Sequence, residues 1–164
     1  MADRPNNPVE DEFQDPLENY EPPAYEDPLE GALGEEKVSA IRSKPLARVS
    51  PDTTVEVALQ QLVREHIACL LVEDDGKLVG VFSDRDLLNK VALEYDEMKH
   101  QPVKEVMTDN PVYIYETESA AAALSVMAIT GYRHVPVVDD RENLIGIVSP
   151  QRVVQFLRDH LEKN

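Results

Sequence analysis

Apolar positions between residues 37 and 164 recur at two different spacings. Val55, Ala58, Leu59, Leu62 and Val63 fall three and four apart, which predicts a helix with one apolar face. Thr53-Thr54-Val55-Glu56 fits a capping box at its start, with Thr53 as N-cap and Glu56 reaching back. Ile67 to Val72 is instead continuously apolar and closes on Glu73-Asp74-Asp75-Gly76, which predicts a buried strand and a tight turn. Leu78 to Phe82 supplies a second strand. Leu87, Leu88, Val91, Ala92 and Tyr95 then share one face of a second helix.

The series occurs twice. Thr117 is placed to cap a helix carrying Ala121, Leu124, Ser125 and Ala128, and Gly131 suits the position after its end. Val135 to Val138 is the next strand, Asp139 to Asn143 a turn, Leu144 to Val148 a strand, and Val153 to Leu161 the last helix. Cys69/Val135, Glu73/Asp139, Gly80/Gly146 and Asp86/Arg152 are each 66 apart, whereas Val38/Val103 and Ser43/Thr108 are 65 apart. The body is therefore two β-α-β-β-α repeats of α+β class, over 37–100 and 101–164 with a linker between. Neither copy alone buries enough apolar surface to be stable, so the two are expected to pack as a pseudo-two-fold pair.

Residues 1–36 differ in composition. They carry 12 acidic side chains and 1 basic, a net of −11 out of −16 for the chain, with 6 of its 12 prolines. So few aliphatic side chains cannot offset the entropy of ordering, and the segment is expected to be a disordered acidic tail. Pro22-Pro23-Ala24-Tyr25 within it is either an extended docking ligand for an aromatic groove or part of a solvating arm.

The body, at a net of −5, shows no Lys/Arg stripe of the kind that tracks a phosphate backbone, so no nucleic-acid partner is expected. Neither an apolar leader nor a membrane-length run occurs, which predicts a cytoplasmic protein with no membrane partner. The lone Cys69 precludes an internal disulfide and reads as a small core residue. His66, His100 and His160 have no His or Cys partner at ligand spacing, so no metal site is expected. Gly-x-Gly-x-x-Gly and Gly-Lys-Ser/Thr are both absent, and so are the usual phosphate cradles. No nucleophile–base pair stands out, so no catalytic residue, no enzyme activity and no cofactor are expected.

One frame does recur with a difference. Gly80-Val81-Phe82-Ser83-Asp84-Arg85-Asp86 carries a strand into a helix, and Gly146-Ile147-Val148-Ser149-Pro150-Gln151-Arg152 repeats it with arginine for aspartate. Val103-Lys104-Glu105-Val106-Met107-Thr108, Arg133-His134-Val135-Pro136-Val137-Val138-Asp139 and Gly80 to Leu87 together resemble the opening strand, central strand and Gly-h-h-Ser/Thr-x-x-Asp signature of a CBS (cystathionine-β-synthase-type) domain. The resemblance covers about residues 38–162 and implies a tandem pair, or Bateman module. In many members of that family, the cleft between the repeats holds an adenosine-containing ligand.

The chemistry of the motif suits such a ligand. An ionised aspartate accepts charge-assisted hydrogen bonds from a ribose diol, and a helix N-terminus offers N–H groups and a positive dipole end to phosphate. The resemblance implies a site built on Ser83, Asp84, Arg85 and Asp86 and completed from the other repeat by Thr108, Pro111 and Val112, with Tyr132, Arg133 and His134 along the same cleft. Ser-x-x-Asp is also an ordinary cap. Ser149 followed by Pro150 at N1 starts the matching helix without an aspartate, so the shared architecture does not require Asp86. His134 reads equally as a cleft residue or a polar strand edge. Ser43, Ser149 and Arg152 mark a second site expected to be degenerate, because a guanidinium cannot accept from a diol. It would be left to contact a phosphate or a carboxylate.

Two functions are then expected. The first is a stand-alone regulatory CBS pair that binds AMP, ADP or ATP, or less readily S-adenosylmethionine, and signals to a partner protein. The family resemblance adds a homodimer, with the Val55/Leu59/Leu62 and Ala121/Leu124 helices as candidate surfaces. The alternative is a constitutive interaction module with a vestigial cleft that docks through its acidic tail.

Overall fold

The computed structural model describes residues 24–25, 27–43 and 47–162. Helix α1 (Pro28–Glu35) leads through a 3₁₀ turn at Val38–Ala40 into β1 (Arg42–Ser43) and β2 (Arg48–Val49), then α2 (Val55–Glu65), β3 (Cys69–Asp74) and β4 (Lys77–Ser83). The chain turns into α3 (Asp84–Asp86), widens to a π-turn at Leu87–Val91, tightens to 3₁₀ at Ala92–Glu94 and ends in α4 (Tyr95–Met98). The second half repeats this order: a 3₁₀ turn at Val103–Glu105, β5 (Thr108–Asp109), β6 (Ile114–Tyr115), α5 (Ala120–Thr130), β7 (Val135–Val138), β8 (Leu144–Val148) and α6 (Pro150–Leu161).

The repeats exchange their first strands. One sheet runs β2-β3-β4-β5 and the other β6-β7-β8-β1, so β5 completes the sheet of the first repeat and β1 that of the second. In each sheet the strand before the long helix pairs in parallel with the strand after it (β2 with β3, β6 with β7), and the other neighbours are antiparallel. The cores are exchanged in the same way. Val103 and Val106 are buried with Val55, Leu70 and Phe82 of the first repeat, while Val38 and Ile41 are buried with Val135, Val148 and Phe156 of the second. The backbone repeats the reciprocity: Val38 N–H donates to Glu118 O at 2.9 Å and Val103 N–H to Thr53 O at 2.7 Å.

This exchange moves both predicted helix starts. The Thr53 carbonyl accepts from Val103, and the N-cap of α2 is the extended Thr54, whose Oγ1 accepts from Val57 N–H at 3.4 Å. Thr117 is displaced likewise: Glu118 O accepts from Val38, and Ser119 caps α5 by accepting from Ala122 N–H at 3.2 Å. The Val103-to-Thr108 opening segment is strand only at its end, because Val103–Glu105 winds into a 3₁₀ turn that buries Val103 and Val106. In the second helical stretch Leu87, Val91 and Tyr95 pack on the first core, but Leu88 and Ala92 face outward. Gly131 ends α5 in the left-handed region, φ 70°, as its position implies.

The acidic segment also departs from its composition. Pro28–Glu35 is helical, with Asp27 Oδ1 accepting from Leu29 N–H at 2.7 Å and Pro28 in the first turn. Eight residues that include Gly31 and Gly34 cannot hold a helix unaided. Packing supplies the difference. Ala32 and Leu33 lie on the second core, Glu36 pairs with His160 at 2.8 Å, and Tyr25 lies against Gly31 and Gly34. Pro22, Pro23 and the rest of the predicted disordered tail, residues 1–23 with Glu26, lie outside the described residues. No helix among the described residues is long and apolar enough to cross a membrane.

Candidate functional site

The strand-to-helix junction at Ser83 is capped from both sides. Asp86 N–H reaches Ser83 Oγ at 3.4 Å, while Asp86 Oδ2 accepts from Ser83 N–H at 3.0 Å and from Ser83 Oγ–H at 2.8 Å. Ser83 lies opposite Cys69 at the end of the β3–β4 pair, and Asp84 N–H donates to Ala68 O at 3.0 Å. The helix start is thereby tied to the end of the central strand pair of its own sheet.

The exchanged strand then completes the surroundings of Asp86. Thr108 on β5 donates from Oγ1 to Asp86 Oδ1 at 2.9 Å, and Lys90 Nζ donates to the same oxygen at 2.9 Å. Asp86 is only 5 % exposed, and it alone among polar or charged residues is buried among the described residues. Burial works against its charge, but hydrogen bonds from Lys90, Ser83 and Thr108 outweigh that and hold the carboxyl below its ordinary value.

A cleft of about 320 Å³ opens beside this aspartate. The first repeat lines it with Ser83, Asp84, Arg85 and Asp86, and the second with Thr108, Pro111, Tyr132, Arg133 and His134. Nine of the ten residues expected at the principal site thus share one cleft. Val112 is the exception: it follows buried Pro111 but is itself 42 % exposed and does not line the cleft. Among the described residues neither Arg85 nor Arg133 forms an ion pair, so both guanidinium groups stand at the cleft available to an anion. Burial, helped by Arg133, lowers the pKa of His134, while Asp84 pulls it the other way.

Ala68, Cys69, Val81, Leu88, Asn89 and Gly131 also line the cleft and were not expected there from sequence. Asn89 lies three residues after Asp86, a spacing that would have placed it on the same helix face. Cys69 is buried as expected, and burial together with Asp86 and Asp84 pushes its thiol up to about 12, so it carries no thiolate for nucleophilic chemistry. No group of three metal-ligating side chains occurs among the described residues.

At the second candidate site Ser43 lies on β1 opposite Ile147, and Ser149 caps α6 without a side-chain hydrogen bond. Arg152 Nη2 donates to Arg42 O at 3.3 Å. Among the described residues Arg152 forms no ion pair; its side chain is exposed, and its hydrogen-bond partner is the backbone of the exchanged strand. Residues 44–46, which follow Ser43, lie outside the described residues.

Two interleaved four-stranded sheets with a cleft at an exchanged strand define a tandem-repeat architecture. The sequence model of the CBS domain matches residues 38–93 and again 103–159, and the chain belongs to the CBS domain family. A CBS domain-containing protein of Dictyostelium discoideum is 32 % identical over 137 residues, covering 76 % of this chain and 93 % of the relative. The CBS domain-containing protein CBSCBSPB5 of Arabidopsis thaliana is 33 % identical over 110 residues; the match takes in 66 % of this chain but only 20 % of that longer relative. Among solved structures, CBSX2, a CBS-pair protein of Arabidopsis thaliana, in complex with AMP superposes with a TM-score of 0.67 at 31 % identity, covering 79 % of this chain and 99 % of CBSX2.

Proposed function

We propose that the chain is a regulatory module whose cleft binds an adenosine-containing ligand, with AMP, ADP or ATP preferred over S-adenosylmethionine, and whose occupancy is signalled to a partner protein. The observation that carries this reading is the convergence of a buried, ionised aspartate from one repeat with Thr108, His134 and two unpaired arginines around a single cleft. Its volume, about 320 Å³, lies at the lower end of the range for small-molecule sites. Asp86 supplies acceptors for a diol, Arg85 and Arg133 supply positive charge for phosphate, and Tyr132 supplies a ring beside which a base can lie. The likeness to CBSX2, solved with AMP, supports the same ligand class.

Calorimetric titration with AMP, ADP, ATP and S-adenosylmethionine tests the reading. Binding by wild type and its loss in Asp86→Asn is the expected result. Absence of binding at millimolar ligand, or unchanged binding in the variant, overturns it.

A vestigial cleft in a constitutive interaction module is the second reading. It draws on the fact that Asp86 already satisfies its oxygens within the protein. The same titration separates the two.

We also infer a cytoplasmic homodimer, though not through all the surfaces expected from sequence. Val55 and Leu62 are consumed in the first core and Leu59, Ala121 and Leu124 are half-buried. Val57, Val63 and Leu93 on the first repeat, and Ile129, Val154 and Leu161 on the second, are among the large apolar side chains left exposed. Sedimentation equilibrium of wild type against Leu93→Glu and Ile129→Glu tests the dimer; a monomeric wild type would refute it.

A further inference from the structure

A carboxylate offers about four lone-pair directions. In Asp86 all are taken: Ser83 N–H and Oγ–H fill Oδ2, and Thr108 Oγ1–H and Lys90 Nζ fill Oδ1. A ribose diol can reach this carboxylate only by displacing a donor already present. The two oxygens differ in what displacement would cost. Those on Oδ2 form the cap of the helix that carries Asp86, a contact local to residues 83–86. Those on Oδ1 reach the other repeat.

Lys90 makes that reach. Its ammonium has three protons and three acceptors: Asp86 Oδ1 at 2.9 Å, Val106 O at 2.8 Å and Met107 O at 3.0 Å. Val106 is buried in the first core and Met107 precedes Thr108 on the exchanged strand. Lys90 therefore clasps the exchanged segment, and Asp86 anchors the clasp.

The second repeat has a clasp without the anchor. Arg152 donates to Arg42 O, and Arg42 is the counterpart of Met107 at the 65-residue offset. There the cation occupies the aspartate's own position, so no carboxylate is shared between clasp and ligand. The clasp of the first repeat depends on Asp86, and that of the second does not.

Resting on the ligand reading above, we propose that Lys90 couples cleft occupancy to the exchanged strand: a diol-bearing ligand takes Asp86 Oδ1 from Lys90 and Thr108 and so loosens Val106–Asp109. The ligand and the strand compete for one oxygen, which makes the coupling reciprocal. Removing the competitor should strengthen binding while weakening the strand.

Calorimetry with AMP and amide hydrogen exchange on the full chain test this, using wild type, Lys90→Met and Asp86→Asn. Lys90→Met is expected to bind AMP roughly tenfold more tightly, the value of one charge-assisted hydrogen bond no longer displaced. Without ligand its amides at 106–109 should exchange as fast as those of AMP-bound wild type. Slower exchange there in wild type on adding AMP overturns the proposal, and this measurement stands even if Lys90→Met is too unstable to titrate. Equal or weaker AMP binding in Lys90→Met, with binding abolished in Asp86→Asn, overturns the coupling and leaves the ligand reading intact. AMP binding to neither wild type nor Lys90→Met overturns both.

Discussion

Gly80 and Met107 lie against each other where the exchanged strand meets β4, so closely that a Cβ on Gly80 would overlap the methionine sulfur. Gly146 stands in the same relation to Arg42, whose Cδ would be 2.9 Å from a new Cβ. The recurring glycine of the two motifs is thus a door for the other repeat's strand. Gly80→Ala should destabilise the protein by about 1–3 kcal/mol through overpacking. In a Met107→Ala background that loss should shrink by about 0.5 kcal/mol or more, the mark of a contacting pair in a double-mutant cycle. Urea unfolding of the four proteins measures it, and additive effects would show that the contact is not the cause.

Exchange of β1 and β5 makes each repeat incomplete alone. A fragment of residues 101–164 lacks Val38, Ile41 and β1, and should show no cooperative thermal transition by circular dichroism. Adding a fragment of residues 1–100 should restore one. In the intact chain Ile41→Ala should cost about 2–5 kcal/mol, although it removes a side chain of the first repeat from the core of the second.

Helix α1 stands on Leu33 and the Glu36–His160 pair rather than on its own propensity. Leu33→Ala should lower stability by about 1 kcal/mol, as befits a half-buried side chain. AMP affinity should be unchanged, since α1 packs away from the cleft. A stability loss near zero in urea unfolding would mean that the helix contributes nothing to the fold.

His134 has its pKa lowered from 6.5 in the folded protein by burial, so it binds fewer protons than in the unfolded chain near that pH. Stability from this group is therefore present above pH 6.5 and lost as pH falls below it. A phosphate in the cleft reverses the sign by favouring the imidazolium. AMP should bind more tightly at pH 6 than at pH 8, with proton uptake detectable by calorimetry in buffers of different ionisation enthalpy. His134→Gln should abolish the uptake.

Periodicity alone marked the repeat, and it did so because β7, β8 and their turn obey short-range rules. Val135–Val138 and Leu144–Val148 are strands to the residue, as the apolar runs imply. The helix starts were one and two residues off, at Thr54 and Ser119, since backbone pairing with the other repeat outweighs local capping. Helix α1 was hidden for the same reason. Acidic residues, proline and two glycines argue against order, and only the surface of the second core overrides them.

The candidate site divides along the same line. Residue types and spacing picked out Ser83 and Asp86, because a serine–aspartate pair at a helix start has its own chemical logic, whereas Thr108 entered only through the family resemblance. That Lys90 faces Asp86 was legible as a four-residue spacing on a helix. That the same ammonium also holds Val106 and Met107 was not. Hydrophobic pattern determines which segments become strands and helices, since it depends on neighbours a few residues away. Which repeat a two-residue strand joins depends on glycines and buried side chains about 25 to 100 residues distant, and only the packed structure decides that.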